Sequence, residues 1–221
     1  MTLPGQVQSA PTGVLGFDTD TVLSAENAKH FHIAGYRFCL RYLSLTTLQG
    51  SGDLSHDEAL SILQAGLALM AVQHVRYPGW TPTASLGTTD GTNAVTNGQA
   101  VGLPPGVNIW CDLEGVSRAA QADAVIDYCN NWYDAVAEEG YVPGLYVGYH
   151  AILNGDQLYQ ALKFQHYWKS ASEVPEVKVR GYQLIQSDPN PNATVNGIEF
   201  DKDTSQTDNE DGQAQWLVDV A

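Results

Sequence analysis

The amino-acid sequence predicts an α/β fold, a single (β/α)8 barrel of the TIM type that is short and irregular in its sixth to eighth units. Eight short runs of apolar, β-branched and aromatic residues recur along the chain, separated by segments with helical periodicity or turn residues. Three of those segments start at a serine and end at a glycine, as helices often do. The 221 residues are close to the lower size limit of such barrels, which usually have about 250.

The eight predicted strands are expected to pair in parallel, because strands that alternate with helices are joined by right-handed crossovers. An open, doubly wound sheet is the competing architecture. It requires a glycine-rich phosphate-binding turn or another switch-point signature after its first strand, whereas the first strand here ends in Phe17-Asp18-Thr19-Asp20. We therefore favour the barrel. The predicted strands are residues 14–20, 38–44, 67–75, 108–115, 144–151, 166–171, 181–187 and 198–204.

Helix signals follow the first, second and fourth strands. Ser55 with Glu58 three residues later forms a capping-box pattern, and Ser117 precedes an apolar stripe that advances by about 3.6 residues. Residues 82–98 are rich in Gly, Thr and Asn and predict a long loop with a short helix behind it, whereas residues 172–178 are too short for a full helix. The helices are predicted over 24–35, 55–66 and 117–140, and the stripe of the third is Val125, Cys129, Trp132 and Val136.

The chain is strongly acidic, with 25 Asp and Glu against 10 Lys and Arg and a formal net charge of −15. Binding to nucleic acid or to an anionic membrane depends on clustered cations, and this chain has too few for either. The acidity therefore argues against both as main partners and favours small neutral or amphiphilic substrates.

These features predict one domain, residues 13–221, after an N-terminal extension of residues 1–12. The extension lacks the basic start and apolar core of a signal peptide, and no segment approaches the roughly 20 apolar residues of a membrane span. We expect a soluble monomer that is cytoplasmic on synthesis and reaches a cell wall by lysis or non-classical secretion. Its three cysteines are too few for a disulfide framework or a cysteine-based zinc site, and we expect no cofactor.

Acidic residues collect where the first, fourth and eighth predicted strands end. A parallel barrel strand is buried on both faces, so an ionised carboxylate is tolerated only near its C-terminal end, where the active site of this fold opens. The six acids therefore predict a functional cleft at one end of the barrel. They are Asp18 and Asp20, Asp112 and Glu114, and Asp201 and Asp203.

The fourth strand gives the sharpest chemical signal. Asp112 and Glu114 have the same parity as Trp110, so the three side chains project to one side, and their two carboxyls start from Cα atoms roughly 6.6 Å apart. Like charges raise each other's pKa and a neighbouring indole adds desolvation, so one carboxyl can stay protonated near neutral pH. Glycoside hydrolysis depends on that division of labour between two carboxyls.

Two other interpretations of the acids remain open. Carboxylates at strand ends often cap the next helix or pair with an arginine. A hard cation such as Mg²⁺ or Ca²⁺ could also bind the carboxylate oxygens of the first and last strands, which would point to a metal-dependent hydrolase of phosphoesters. Its ligands would be Asp18, Asp20, Asp201 and Asp203.

Aromatic residues near the same strand ends suit a sugar, because a flat ring can stack against the apolar face of a pyranose. Tyr146 on the fifth strand and Trp168 on the sixth are the two strongest candidates. Gln183 and Arg41 are candidates for binding sugar hydroxyls or acyl groups.

An ordered set of short motifs resembles a known family. The motifs are Gly16-Phe17-Asp18-Thr19-Asp20, Arg41-Tyr42-Leu43, Trp110-Cys111-Asp112-Leu113-Glu114, Gly144-Leu145-Tyr146 and Phe200-Asp201-Lys202-Asp203. In this order they look like the glycoside-hydrolase-like family of domain of unknown function 1906, which is similar to the Chalaropsis-type lysozymes of glycoside hydrolase family 25. The resemblance extends from about Gly13 to about Asp203.

The resemblance implies a short β/α barrel that cleaves the β-1,4 bond between N-acetylmuramic acid and N-acetylglucosamine, or that descends from enzymes that do. It makes Glu114 the proton donor and Asp112 the group that stabilises charge at the reacting sugar. Asp18 and Asp201 complete an acidic floor, with Tyr146, Trp168 and Gln183 as substrate contacts. The lysozymes usually have Ser and Asn where this chain has Asp20 and Asp203, so these two residues add charge to the expected substrate-binding site.

The sequence thus predicts a lysozyme-like glycosidase that acts on peptidoglycan, as a phage lysin or a cell-wall hydrolase. The alternative is a non-catalytic glycan-binding or cell-wall-binding domain on a degenerate glycosidase barrel. The two differ in one observable, because only the enzyme releases new reducing ends.

Overall fold

In a computed structural model, which describes residues 1–187 and 194–220, eight strands close into a barrel with helices on its outer face. The strands are β1 (Gln6–Ser9), β2 (Leu15–Thr19), β3 (Phe38–Leu43), β4 (Ala68–Gln73), β5 (Asn108–Leu113), β6 (Val142–Val147), β7 (His166–Lys169), β8 (Leu184–Ser187), β9 (Thr194–Val195), β10 (Ile198–Glu199), β11 (Asp201–Ser205) and β12 (Gln215–Val218). The helices are α1 (Ala25–Ile33), α2 (His56–Gln64), α3 (Ala84–Val101), α4 (Ala122–Glu138) and α5 (Gly155–Gln160).

The barrel follows the order β2, β3, β4, β5, β6, β7, β8 and β11, and β11 pairs back with β2. The predicted barrel is therefore confirmed, and each of its eight strands lies within or next to a predicted run. The sixth to eighth units are irregular as predicted, since no helix lies between β7 and β8 and the described residues between β8 and β11 contain only a short hairpin. The fifth unit is also short, because α5 after β6 spans only six residues.

One strand departs from the expected all-parallel pairing. β2 to β8 pair in parallel, but β11 runs antiparallel to both β2 and β8. A parallel connection needs a crossover, usually a helix, and the described residues between β8 and β11 form only the short hairpin β9–β10. The chain therefore re-enters the barrel from the end where β8 leaves it, and acids at the start of β11 reach the mouth.

The first two predicted helices form where their caps indicate. Ser24 Oγ accepts a hydrogen bond from the Asn27 amide, and Ser55 Oγ accepts one from the Glu58 amide. The capping box at Ser55 is only half formed, because the Glu58 carboxylate bonds the Leu23 amide and a buried arginine instead.

The other helices correct two expectations. The predicted start at Ser117 is wrong, since α4 begins at Ala122, although its apolar stripe is buried as expected. The loop predicted over residues 82–98 is also wrong, because α3 spans 18 residues there. A Cβ at Gly87 would lie 2.1 Å from the Tyr128 carbonyl oxygen, so the small residues of α3 let it pack closely against α4.

Residues 1–12 pack against the barrel. β1 pairs with β12, and β12 pairs with β4 through Leu217 and Leu69, near the start of β4 and away from the mouth. The ring of Trp216 lies 5.3 Å from that of Phe38, which points into the barrel. The boundary between an extension and a domain at residue 13 stays a prediction. No helix among the described residues is both long and apolar enough to cross a membrane.

Two interior glycines make room for the aromatic rings that fill the barrel. A Cβ at Gly16 would lie 2.3 Å from the ring of Phe38, and a Cβ at Gly144 would lie 2.3 Å from the indole of Trp110. Trp110 in turn packs edge-on against Trp168. The interior is therefore solid below the mouth, as in other barrels of this size.

We expect Gly144→Ala to lower the free energy of unfolding by about 1–3 kcal/mol, because the added methyl overlaps a fully buried indole. Gly52→Ala is the matched control, since open space surrounds that position. Urea unfolding of both variants measures the difference, and equal stabilities would contradict the packing described.

Candidate active site

Four of the predicted acids meet at the mouth of the barrel. Asp18 at the end of β2 is the register partner of Asp201 at the start of β11. Asp112 near the end of β5 and Glu114 just beyond it lie across the mouth, close enough for Asp112 to interact electrostatically with Asp18, and Glu114 with Asp201. Asp201 is the first residue of β11, and the antiparallel direction of this strand brings that residue to the mouth. The sequence analysis placed Asp201 and Asp203 at the end of the strand instead.

Asp18 lies in a network of neutral donors. Tyr42 Oη donates to its Oδ1 at 3.2 Å, and Gln186 Nε2 donates to its Oδ2 at 2.9 Å. Gln186 Nε2 also lies 3.3 Å from Asp201 Oδ2, and its Oε1 accepts from Tyr146 Oη. Burial and the charge of Asp201 outweigh these hydrogen bonds and raise the pKa of Asp18 from 3.8 to about 7.

Asp203 lies beneath Asp18, fully buried on β11. Trp168 Nε1 donates to its Oδ1 at 2.8 Å, while Oδ2 has no donor among the described residues. Asp203 interacts electrostatically with Asp18 above it. Burial and the Asp18 charge raise the pKa of Asp203 well above its usual range, and a protonated Asp203 can donate a hydrogen bond to Asp18.

Asp112 is a second buried carboxyl. Its Oδ1 has no hydrogen-bond partner among the described residues, and burial together with the charges of Glu114 and Asp18 raises its pKa well above 3.8. An unpaired buried oxygen of this kind is costly in a folded protein. It is a natural contact point for a polar group of a ligand.

Glu114 lies in the turn that follows β5 and is only half-buried. Trp80 Nε1 donates to its carbonyl oxygen at 2.9 Å, which ties the turn to the loop after β4. A Cβ at Gly148 would lie 2.7 Å from the Glu114 carboxyl, so the glycine at this position leaves room for that carboxyl. Burial and the charge of Asp201 raise the pKa of Glu114 above 4.5. The residue lines a cavity of about 440 Å³.

The aromatic prediction needs correction. Tyr146 and Trp168 are 9% and 1% exposed and hydrogen-bond inward, so they support the carboxyl network and present no open face to a sugar. The exposed rings at the mouth are Tyr77, after β4, and Tyr149, after β6, with 94% and 53% exposure. Tyr77 follows the third predicted strand and Tyr149 lies within the fifth, but a sequence indicates the side of a strand on which a residue lies and not its depth in the barrel.

Arg41 and Gln183 are not brought to the mouth. Arg41 is fully buried and faces outward, where its guanidinium bonds Glu58 and the Thr19 carbonyl oxygen. Gln183 precedes β8 at the far end of the barrel and bonds Asp208 and the Tyr167 amide. Both are structural residues.

The amide at the site is Gln186, which the sequence interpretation missed. It shares the parity of Leu184 on β8 and lies near the end of that strand, as Asp112 does on β5. Its parity and its position near the end of the strand could have identified Gln186 as a site residue from the sequence.

Asp20 lies beyond the end of β2 and is exposed on the rim, away from the buried network. Among the described residues, no group of three or more His, Cys, Asp and Glu side chains is arranged to hold a metal ion. The oxygens of Asp18 and Oδ1 of Asp203 face O–H and N–H donors, and such donors compete with a cation. The geometry therefore gives no support to the cation site considered from the sequence.

Residues 29–211 match the model of the family described as "Rv2525c-like, glycoside hydrolase-like domain". The chain belongs to this family. The predicted resemblance to a glycoside-hydrolase-like family related to family 25 lysozymes is thus confirmed. No curated protein matches the chain.

Several solved structures have the same fold as this chain. The Tat-secreted protein Rv2525c of Mycobacterium tuberculosis, in complex with HEPES, is 16% identical with a TM-score of 0.65, covering 91% of this chain and 98% of that one. A family 25 glycosyl hydrolase from Bacillus anthracis is 12% identical with a TM-score of 0.61, covering 90% and 91%. The catalytic domain of endolysin ply40 from Listeria monocytogenes bacteriophage P40 is 16% identical with a TM-score of 0.58, covering 90% and 95%.

We expect Asp203→Asn to keep the fold and to flatten the pH dependence of stability. Asparagine can accept from Trp168 and donate to Asp18, as protonated Asp203 does. An acid whose folded-state pKa is raised stabilises the protein at low pH, and that contribution is lost as the pH rises from about 4 toward the folded-state value.

Urea unfolding between pH 4 and pH 7 measures this effect, with Asp127→Asn on the exposed face of α4 as the control. Wild type and control should lose stability with rising pH relative to Asp203→Asn. A large loss of stability in Asp203→Asn at pH 7 would show that Asp203 is an ionised structural residue.

Proposed function

We propose that this protein is a lysozyme-like glycoside hydrolase that cleaves β-1,4 bonds of peptidoglycan, with Glu114 as the proton donor. One observation carries the proposal. A half-buried glutamate whose pKa is raised lines an open cavity, and a second carboxyl, Asp112, precedes it by two residues on the same side of β5. Glycosidic cleavage needs such an acid together with a second carboxyl group.

In this proposal Glu114 protonates the leaving oxygen of the glycosidic bond. Its raised pKa suits the task, because a general acid must still hold its proton near the working pH. The half-exposed position lets the carboxyl reach a bound sugar, while its backbone is fixed by Trp80 and by the hydrogen bond from the Gly148 amide to the Leu113 carbonyl oxygen.

Asp112 stabilises charge at the reacting sugar and orients its N-acetyl group. Its unpaired Oδ1 is the contact point for that group. Asp18 and Asp201 form the acidic floor, and Gln186 holds both in position. Protonated Asp203, which lies beneath Asp18, orients the Asp18 carboxyl by donating a hydrogen bond to it.

The surface beside Glu114 suits a polymer. The cavity next to Glu114 shares Pro78 with a second, more apolar cavity of about 650 Å³ lined by Tyr77 and Trp80. Tyr77 lines one of these neighbouring cavities and Tyr149 the other, and sugar rings can stack on both exposed side chains. Every proposed site residue comes from one barrel, so a monomer suffices.

The proposed site of action is the cell wall, outside the producing cell. The Tat secretion of the M. tuberculosis family member and the fold shared with a phage endolysin both support this setting.

We expect Glu114→Gln to reduce the release of reducing ends from purified peptidoglycan by at least about 100-fold, because an amide cannot donate the proton. The matched control is Glu138→Gln, an exposed glutamate at the end of α4 away from the mouth. The control should keep full activity, and thermal unfolding should show both variants folded.

Two outcomes would contradict the proposal. Unchanged cleavage by Glu114→Gln would remove Glu114 as the acid. Saturable binding of the glycan by wild type, without new reducing ends over long incubation, would favour the non-catalytic alternative.

We expect kcat/KM to fall as the pH rises through the pKa of Glu114, because the deprotonated carboxylate is no longer an acid. Asp201 is one of the two causes that raise this pKa. Asp201→Asn should therefore move the alkaline limb of the pH profile to lower pH, by roughly half a unit. Asp20→Asn removes the same charge from the rim and should leave the limb in place, so an equal shift in both variants would contradict this account.

A further inference from the structure

The positive charges of this acidic chain are mostly neutralised by neighbouring acids. Six of its ten Lys and Arg side chains form ion pairs. Within the described part of the chain, Arg118 pairs with no carboxylate, and it lines the same cavity as Glu114. Arg118 therefore places a positive charge beside the proposed catalytic acid in a protein with a net charge of −15.

Arg118 is held by the loop after β6. Its Nη2 donates to His150 Nε2 at 3.1 Å, and the imidazole stacks on Tyr149 with ring centroids 3.8 Å apart. Because arginine has no acceptor, His150 Nε2 is the acceptor in this contact. His150 adopts a left-handed backbone with φ of 59°, which is uncommon outside glycine and often marks a functional position.

The two loops that carry this group are joined to the turn at Glu114. The Gly115 amide donates to the Tyr149 carbonyl oxygen at 2.7 Å, and Gly115 has a φ of +63°. Arg118 is therefore oriented by the same backbone that positions the proposed acid. Its guanidinium has five N–H donors, and His150 takes one, so donors remain for a ligand.

We propose that Arg118, supported by His150 and Tyr149, binds a carboxylate carried by the sugar unit next to Glu114. This inference rests on the proposed function and assigns to Arg118 the recognition of the acidic sugar of that substrate. A guanidinium binds a carboxylate through two parallel hydrogen bonds. The acidic substituent is the lactyl group of N-acetylmuramic acid or an acid of the peptide attached to it, and the two share this chemistry.

The net negative charge of the protein makes a contact between Arg118 and a substrate carboxylate important for binding. The net charge of −15 repels an anionic wall polymer at long range, but salt screens that repulsion beyond about 10 Å at 0.1 M. At contact, a cation beside the cavity offsets the local repulsion from carboxylates such as Asp201. Specificity for an acidic sugar then comes from Arg118 and not from the overall field.

The test compares two oligosaccharides by calorimetry, in a Glu114→Gln background so that neither is cleaved. One is a neutral tetramer of N-acetylglucosamine, and the other is a peptide-free tetramer in which N-acetylglucosamine and N-acetylmuramic acid alternate. We expect Arg118→Gln to weaken binding of the acidic tetramer roughly fivefold and to leave the neutral tetramer unchanged. Lys29→Gln, at an exposed position on α1, removes one positive charge outside the site and should change the affinity for neither tetramer.

The outcomes separate the inference from the proposed function. A loss confined to a peptide-bearing form of the acidic tetramer also supports the subsite and assigns the carboxylate to the peptide. An equal loss for both tetramers, no loss for any ligand, or no binding of acidic ligands by the parent would overturn the inference. The proposed function is judged separately, by reducing-end release with Glu114 intact.

Discussion

Burial of several carboxyl groups next to one another is the constraint on which this site depends. The charges that raise the pKa values of Asp18, Asp112 and Glu114 belong to other carboxylates. A cluster of this kind can exist at neutral pH only if some of its members keep their protons. The fold thereby supplies acids where exposed aspartate and glutamate would be anions. The donors around Asp18 are neutral, so they orient its carboxyl without abolishing this effect.

The barrel distributes these groups by depth. Asp203 lies lowest, fully buried and hydrogen-bonded to the indole of Trp168, while Asp18 and Asp112 lie near the mouth and Glu114 reaches the open cavity. The closed sheet fixes this order, because each acid occupies a set register on β2, β5 or β11. The antiparallel direction of β11 is part of the arrangement, since it brings Asp201 to the mouth and Asp203 below it.

Much of this could be predicted from the sequence, because strand alternation and acids at strand ends are local patterns. The shared side of Asp112 and Glu114 follows from parity alone. The direction of β11 could not be predicted, since a period of two is the same in both directions. The depth of a side chain in the barrel could not be predicted from the sequence either. Trp168, predicted to contact substrate, is buried and supports Asp203 through a hydrogen bond. Arg41 has the opposite parity to Tyr42, so its outward direction follows only once the structure shows that Tyr42 faces Asp18.

The central claim is that acids from three strands surround one sugar-binding hollow at the barrel mouth. The most direct measurement is a crystal structure of the Glu114→Gln variant with a bound cell-wall oligosaccharide. The account predicts a glycosidic oxygen within hydrogen-bond distance of the residue 114 amide, with sugar rings lying along Tyr77 or Tyr149. An oligosaccharide bound on another face, with the residue 114 side chain in contact with solvent alone, would contradict it.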